Sequence, residues 1–166
     1  VPVSAPQQRM WFVNQLDTSS SAYNIPIAIR MRGELDRDVL VSALADVMDR
    51  QQALRTVFPN TASGPVQDVR SVDEVAPDPV EIDVSAADLP ARLSKDAQAG
   101  FDVTVDVPLR TRLFRVAPED HTLLLVAHHI AADGLSMGPL ARDVITAYVA
   151  RSAGSASSLK SCCRRR

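Results

Sequence analysis

The chain has 166 residues, enough for one ordinary domain, with 46% hydrophobic and 23% charged residues. These proportions are typical of a globular protein. The formal net charge is −2, and four of the positive charges lie at the C-terminal end, at Lys160 and at Arg164–Arg166. The remaining acidic chain excludes nucleic acid as a predicted partner, because phosphate binding needs clustered basic side chains.

Cysteine usage and hydropathy exclude further classes. Cys162 and Cys163 are adjacent, so they build no disulfide framework, and a metal site would need more ligands nearby. Because the rest of the chain has no cysteine, we predict a reducing, cytoplasmic location and no bound metal. No apolar run reaches the roughly 18 residues of a membrane span, and the start of the chain lacks a signal-peptide pattern. We therefore expect no membrane partner.

The first half of the chain alternates between predicted helices and strands. Ser4 and Gln7 have the spacing of a capping box, which predicts a helix over residues 7–16. Apolar residues at every second position over 25–31 predict a strand with one buried face, and Asp36 is placed to cap a helix that reaches about Gln51. Further predictions are a short strand over 54–58, a turn over 61–65 with a hairpin partner over 66–69, and a loop over 71–80.

The second half predicts strands on both sides of one helix. Residues 80–84 alternate like a strand, and Pro90 fits the first turn of a helix over 89–99 that Gly100 closes. Two β-rich runs, 109–116 and 122–127, flank a turn at 118–120, and the second run is almost wholly apolar, as in a strand buried on both faces. Ser136 is predicted to cap a last helix that reaches about Ala150. Together these elements predict an α/β (α+β) fold, with helices packed on a mixed sheet.

A histidine pair follows the most apolar run. Successive residues of a strand point to opposite faces, so one of His128 and His129 should face a cleft and the other the core. Asp133 and Gly134 come five and six residues after His128 and can return to the same place. A histidine at a strand end is often structural, and a pair can bind metal, but no third ligand is evident nearby. The residues alone leave catalysis and a structural role both open.

Three motifs in order resemble the condensation domain of nonribosomal peptide synthetases. Residues 128–134 match its signature His-His-x-x-x-Asp-Gly. Residues 4–11 resemble its motif Ser-x-Ala-Gln-x-Arg-Met-Trp, with Pro6 in place of the alanine, and residues 50–58 resemble Arg-His-Glu-x-Leu-Arg-Thr-x-Phe, with Gln51 and Gln52 in place of His and Glu. The resemblance implies one lobe of the two-lobed chloramphenicol acetyltransferase-like fold.

The resemblance also implies a domain organisation. It covers residues 1–151 as an N-terminal lobe, and the motifs of the C-terminal lobe are absent from the sequence. Residues 152–166 are predicted to be a linker-like or disordered tail without periodicity. Because the substrate channel of such domains lies between the lobes, we expect this chain to supply one wall of the site, to be inactive alone and to associate through an exposed apolar face.

The implied reaction joins two carrier-bound substrates. The α-amine of an aminoacyl group on one carrier protein domain attacks the acyl or peptidyl thioester on another, and both substrates hang on phosphopantetheine arms of these partner domains. We therefore expect no cofactor bound by the domain itself, and we expect carrier domains, the missing C-terminal lobe and neighbouring synthetase modules as partners.

The resemblance assigns roles residue by residue. His129 is expected to face the channel, where it acts as general base, positions the amine or donates to the oxyanion. The other expected roles are a buried scaffold for His128, a loop-holding carboxylate for Asp133 with Arg55 as its candidate partner, a close approach at Gly134, and a channel or carrier contact for Arg9.

Related functions remain as alternatives. A free-standing acyltransferase of the same superfamily shares the His-x-x-x-Asp-Gly part of the signature, and an inactive carrier-protein-binding module would bind without turnover. An epimerisation domain is disfavoured, because its signature usually has Ser-Trp where this chain has Ser136 and Met137, and a heterocyclisation domain is excluded, because it has Asp residues in place of the histidine pair.

Overall fold

The structure is a computed structural model that describes residues 1–154. Its helices within this range are α1 (Ala5–Leu16), α2 (Arg37–Arg50), α3 (Val72–Val75), α4 (Leu89–Ala97) and α5 (Gly134–Ser152), with a 3₁₀ turn at Gln52–Arg55. Its strands are β1 (Asn24–Arg32), β2 (Thr56–Val57), β3 (Asn60–Thr61), β4 (Gly64–Pro65), β5 (Asp68–Val69), β6 (Glu81–Asp83), β7 (Leu109–Ala117) and β8 (Asp120–His128).

A mixed four-stranded sheet forms the centre of the fold. Its strand order is β1-β8-β7-β6, with β8 antiparallel to both β1 and β7, and β6 parallel to β7. The two inner strands form a hairpin through the tight turn predicted near residue 118. The short strands pair outside this sheet, β2 with β5 and β3 with β4. The predicted mixed sheet with helices packed on it is confirmed.

Two hydrophobic cores lie on opposite faces of the sheet. One face packs against α2 and α5 and the other against α1 and α4. Strand β8 contributes alternate side chains to both cores, which explains why its sequence is apolar without a polar alternation. Its contributions are Leu123, Leu125 and Ala127 to the first core and Leu124 and Val126 to the second.

The two long helices on the first face are joined by buried packing and by ion pairs. The Asp36 carboxylate caps α2 by accepting from the Val39 N–H at 3.1 Å, as predicted. Arg151 near the end of α5 makes a two-point ion pair with Asp46 of α2, at 2.6 and 2.7 Å. None of the helices within residues 1–154 is both long enough and apolar enough to cross a bilayer.

Several local predictions differ from the structure. In the strand predicted over 54–58, residues 54–55 belong to the 3₁₀ turn and only residues 56–57 form a strand. The predicted turn over 61–65 is itself a small hairpin of β3 and β4, while the loop predicted over 71–80 contains the single helical turn α3, capped by Ser71. Helix α5 continues through Ser152, and the rest of the predicted tail, 155–166, lies outside the described residues.

Candidate active site

The end of β8 holds the two histidines in a fixed backbone frame. The His128 N–H donates to the carbonyl of Pro108, directly before β7, at 3.0 Å. The His129 N–H donates to the carbonyl of Tyr23, directly before β1, at 2.9 Å. The pair therefore lies where β8 leaves the sheet, and each N–H donates to the residue that directly precedes a different neighbouring strand.

The His128 side chain points into the protein. It is 1% exposed, and its ring lies between those of Tyr23 and Phe101, at centroid distances of 5.9 and 5.8 Å. Its Nδ1 accepts from the Ile130 N–H at 3.1 Å. Burial, and to a smaller extent the charge of His129, lowers the pKa of His128 to about 4. At neutral pH the ring is therefore uncharged with its proton on Nε2, and it fixes the chain reversal after the strand.

The His129 side chain is exposed. The Tyr23 ring stands edge-on to it, with the centroids 6.4 Å apart and the planes at 84°. Its ring nitrogens make no hydrogen bond within residues 1–154, so both are open to a substrate. An imidazole held at its backbone and free at its nitrogens is suited to accept or donate a proton.

Asp133 sets the start of α5. Its Oδ1 accepts from the Ser136 hydroxyl at 2.5 Å and from the Ser136 N–H at 2.8 Å. These bonds, the hydroxyl first, lower the pKa of Asp133, and the charge of His129 acts in the same direction. The prediction that Ser136 caps this helix is wrong, because the helix begins at Gly134 with Asp133 as its N-cap and Ser136 as the donor.

Gly134 occupies open space. A Cβ built on it would meet no atom within 4 Å, and its φ is not positive. The described part of the protein therefore does not require glycine there, and the expected close approach at this position stays a prediction about a substrate.

The pairing suggested between Arg55 and Asp133 is not formed in the described structure. The Arg55 guanidinium instead donates to the carbonyls of Met48 at 3.2 Å and Arg70 at 2.5 Å, so it fastens the end of α2 to the chain after β5. Arg9 lies exposed on α1 and makes no hydrogen bond or ion pair with the site residues. Within residues 1–154, no three His, Cys, Asp or Glu side chains gather as metal ligands.

The condensation domain family matches residues 1–162 of this sequence. The chain belongs to that family. A curated relative, the dimodular nonribosomal peptide synthase of Bacillus subtilis (strain 168), is 38% identical over 154 residues, which cover 93% of this chain and 6% of the relative. The chain thus spans a small part of the curated relatives it matches.

Solved structures match this chain over nearly all of its own length. The X-domain of teicoplanin biosynthesis, in complex with OxyB, is 36% identical with a TM-score of 0.90, covering 99% of this chain and 36% of that one. The starter condensation domain of rhizomide synthetase RzmA is 26% identical with a TM-score of 0.83, covering 96% of this chain and 39% of that one. The predicted fold, one lobe of the acetyltransferase-like architecture, is confirmed.

Sequence reasoning missed one residue of the condensation domain's site, Tyr23. Its carbonyl holds the His129 N–H, and its ring contacts both imidazoles. The only available signal was its place directly before the strand predicted over 25–31. That signal locates Tyr23 beside His129 only when β1 is known to run antiparallel to β8, a pairing that the local sequence does not specify.

Proposed function

We propose that this chain supplies the histidine-bearing part of a site that joins a carrier-bound aminoacyl amine to a carrier-bound acyl or peptidyl thioester. The amine nitrogen attacks the thioester carbonyl carbon, the C–N bond forms, the C–S bond breaks, and the amine's surplus proton leaves with a base or with the departing thiolate. One observation carries the proposal: an exposed His129, with free ring nitrogens, stands beside a buried and uncharged His128.

The role of His129 combines positioning with proton transfer. A free α-amine has a pKa of about 7.7–8.0, so roughly a tenth of it is already neutral at pH 7. The attacking amine therefore does not need a strong base. An oriented imidazole contributes by holding the amine and by removing its proton as the C–N bond forms. A general base of this kind is worth about 10²–10⁴-fold in rate.

His128 and Asp133 support this role without touching the reaction. His128 closes the chain reversal that presents its neighbour, and Asp133, four residues after His129, caps α5 at its start. Both act through backbone geometry, so the proposed chemistry rests on one imidazole.

The proposed partners follow from the family. We propose that carrier domains deliver both substrates on phosphopantetheine arms, that the domain holds no cofactor of its own, and that a second lobe supplies the facing wall of the channel. The proposed second lobe is supported by the shares matched, since the chain spans a little over a third of the solved chains.

The test is an intact-mass assay of amide formation with loaded donor and acceptor carrier domains. The samples are this chain alone, the chain with a separately supplied C-terminal lobe, and that mixture with either His129→Ala or Val149→Ala. Val149 is 59% exposed on α5, so its truncation serves as the matched control. Product from the complemented chain and its Val149 variant, but not from the His129 variant, supports the proposal. Equal yields from all three mixtures contradict it.

The pH dependence of the rate separates the two roles of His129. If His129 transfers a proton, two groups of the complemented chain and its substrate must be deprotonated for reaction, the imidazole and the attacking amine, and His129→Ala leaves a profile that depends on the amine alone. A variant that is slower by one constant factor at every pH leaves positioning as the sole role.

A second candidate function is partner recruitment without turnover. It is favoured by the TM-score of 0.90 to an X-domain, whose structure was determined in complex with OxyB. Under this alternative the complemented chain binds loaded carrier domains or a partner enzyme, and no sample yields amide.

A further inference from the structure

An irregular stretch between α4 and β7 lies directly behind the histidine pair. Residues 98–103, here called the Phe101 segment, have no helix or strand conformation. Phe101 is 1% exposed, and its ring stands edge-on to His128, with centroids 5.8 Å apart and planes at 77°. The position of this segment therefore sets where the Phe101 ring lies, which is one of the two aromatic rings beside His128.

Side chains from α1 hold this segment from one side. The buried Asn14 amide donates to the Phe101 carbonyl at 2.7 Å and accepts from the Val103 N–H at 3.2 Å. At Gly100 the segment presses against the loop after α1 so closely that a Cβ would lie 2.1 Å from the Thr18 carbonyl oxygen. These contacts fix the backbone of the segment on that side.

Arg110 of β7 holds the same segment from the opposite side. Its guanidinium donates to the carbonyls of Ala99 at 2.8 Å and Gly100 at 2.5 Å. Its Cζ lies 4.2 Å from the centroid of the Phe101 ring, in cation–π contact. One side chain thus contacts three consecutive residues, and the planar fork of arginine suits two adjacent carbonyls in a way that an ammonium does not.

The half-buried charge of Arg110 costs desolvation free energy, which reduces what this side chain contributes to the stability of the fold. Burial, and then the charge of Arg112, lowers the pKa of Arg110, and the carboxylates of Asp106 and Asp96 offset this only in part. An apolar side chain would pack there without that penalty. What arginine provides instead is a fixed geometry for residues 99–101.

We propose that Arg110 is a positioning residue of the active site, which sets the His128–His129 reversal by clamping the Phe101 ring against His128. The link runs from the guanidinium to the Phe101 ring, from that ring to the His128 ring, and from His128 Nδ1 to the Ile130 N–H. The proposal deepens the proposed function, on which its consequence for catalysis rests, but its geometric content stands apart from turnover.

The experiment compares Arg110→Met with the matched control Arg112→Met in the full chain. Arg112 lies two residues further along the same strand and on the same face, and its guanidinium donates to the carbonyl of its own neighbour, Thr111, at 3.0 Å. The first measurement is NMR of the His128 ring nitrogens, together with hydrogen exchange of the Ile130 amide. A buried amide in the opposite core, that of Leu44 in α2, reports global opening.

We expect Arg110→Met to move the His128 nitrogen signals and to speed Ile130 exchange by about tenfold or more, while Leu44 exchange stays unchanged. Arg112→Met should leave all three signals as in the parent chain. If Arg110→Met does not fold, Arg110→Lys answers the same question, since it keeps the charge but cannot span both carbonyls, and it should give a smaller local change of the same kind. Identical behaviour of the position-110 and position-112 variants, or equal acceleration at Ile130 and Leu44, overturns the proposal.

The kinetic measurement uses the chain complemented with the C-terminal lobe. A displacement of about 1 Å at a reacting group can lower the rate by about 10²-fold, so kcat should fall at least about tenfold in Arg110→Met while KM for the carrier domains changes little. The NMR result needs no turnover. A chain that forms no amide but shows the local change in Arg110→Met refutes the proposed function alone, and an active chain without that change refutes the role of Arg110 alone.

Discussion

Protonation of His128 should make the stability of this protein depend on pH in a defined window. The folded pKa is about 4 against an ordinary value of 6.5, so at intermediate pH the unfolded chain binds the proton and the folded chain does not. The contribution of His128 to the free energy of unfolding is therefore fully present above about pH 6.5 and is lost as the pH falls towards 4. Because the pKa of His128 is lowered in the folded state, the free energy of unfolding rises with pH. The opposite holds for a histidine that gains a carboxylate partner, whose pKa is raised.

The magnitude follows from the size of the shift. A difference of about 2.5 pKa units corresponds to about 3 kcal/mol in total, and about 2 kcal/mol of it is lost between roughly pH 7.5 and pH 5. His128→Asn removes the titrating group and places an amide oxygen near the Ile130 N–H, where Nδ1 accepts now. This variant should be less stable at every pH, because the imidazole no longer fills the space between two aromatic rings, but its stability should fall less between those two pH values.

Urea unfolding of both proteins at the two pH values measures the difference, provided that the m-value does not change. His129→Asn is the control, since it removes an exposed imidazole from the adjacent position. We expect it to lose nearly as much stability with falling pH as the parent chain does, since burial is the larger cause of the lowered pKa of His128 and the charge of His129 the smaller one. Parallel losses in the parent chain and in His128→Asn would refute the reasoning, because carboxylates common to both would then account for the whole pH dependence.

Two further predictions concern backbone geometry around the site. Gly100→Ala should destabilise the protein by several kcal/mol in thermal unfolding, because its Cβ would lie 2.1–2.8 Å from backbone atoms of Thr18 and Ser19. Gly134→Ala, whose Cβ would meet nothing within 4 Å, should change stability by less than about 1 kcal/mol. Similar losses in the two variants would contradict the packing argument. Asp133→Ala should lower stability by about 1 kcal/mol through loss of the α5 cap, while Asp133→Asn, which retains a capping oxygen, should stay within a few tenths. An alanine variant as stable as the asparagine variant would remove the cap from the explanation.

The sequence predicted those elements whose local pattern and tertiary environment agree. The capping box at Ser4 starts α1, and the almost wholly apolar run before His128 is a strand with a core on each face. The same strand rule placed one histidine inside and one outside, since side chains alternate along a strand. Residues 56–69 were harder, because β2 to β5 have two residues each and no periodicity can be read over so short a length.

The contacts of the site depend on pairings between distant segments. Tyr23 contacts the histidines only because of the register of β1 on β8. Arg110 contacts Phe101 only because the Phe101 segment folds back over β7. The suggested partner of Asp133 was wrong for a related reason. Arg55 is the last residue of the 3₁₀ turn, and its guanidinium donates to nearby carbonyls; the sequence does not reveal a turn of that kind.

Strand β1 forms an edge of the sheet, since within residues 1–154 it pairs only with β8. An unpaired edge invites strand addition by another molecule and hence aggregation. Pro26 offers no N–H to a strand arriving there, and Arg30 and Arg32 carry exposed side chains on the same strand. These residues act as gatekeepers against edge-to-edge association. Substitutions that made this edge uncharged and free of proline should increase aggregation of the protein in concentrated solution.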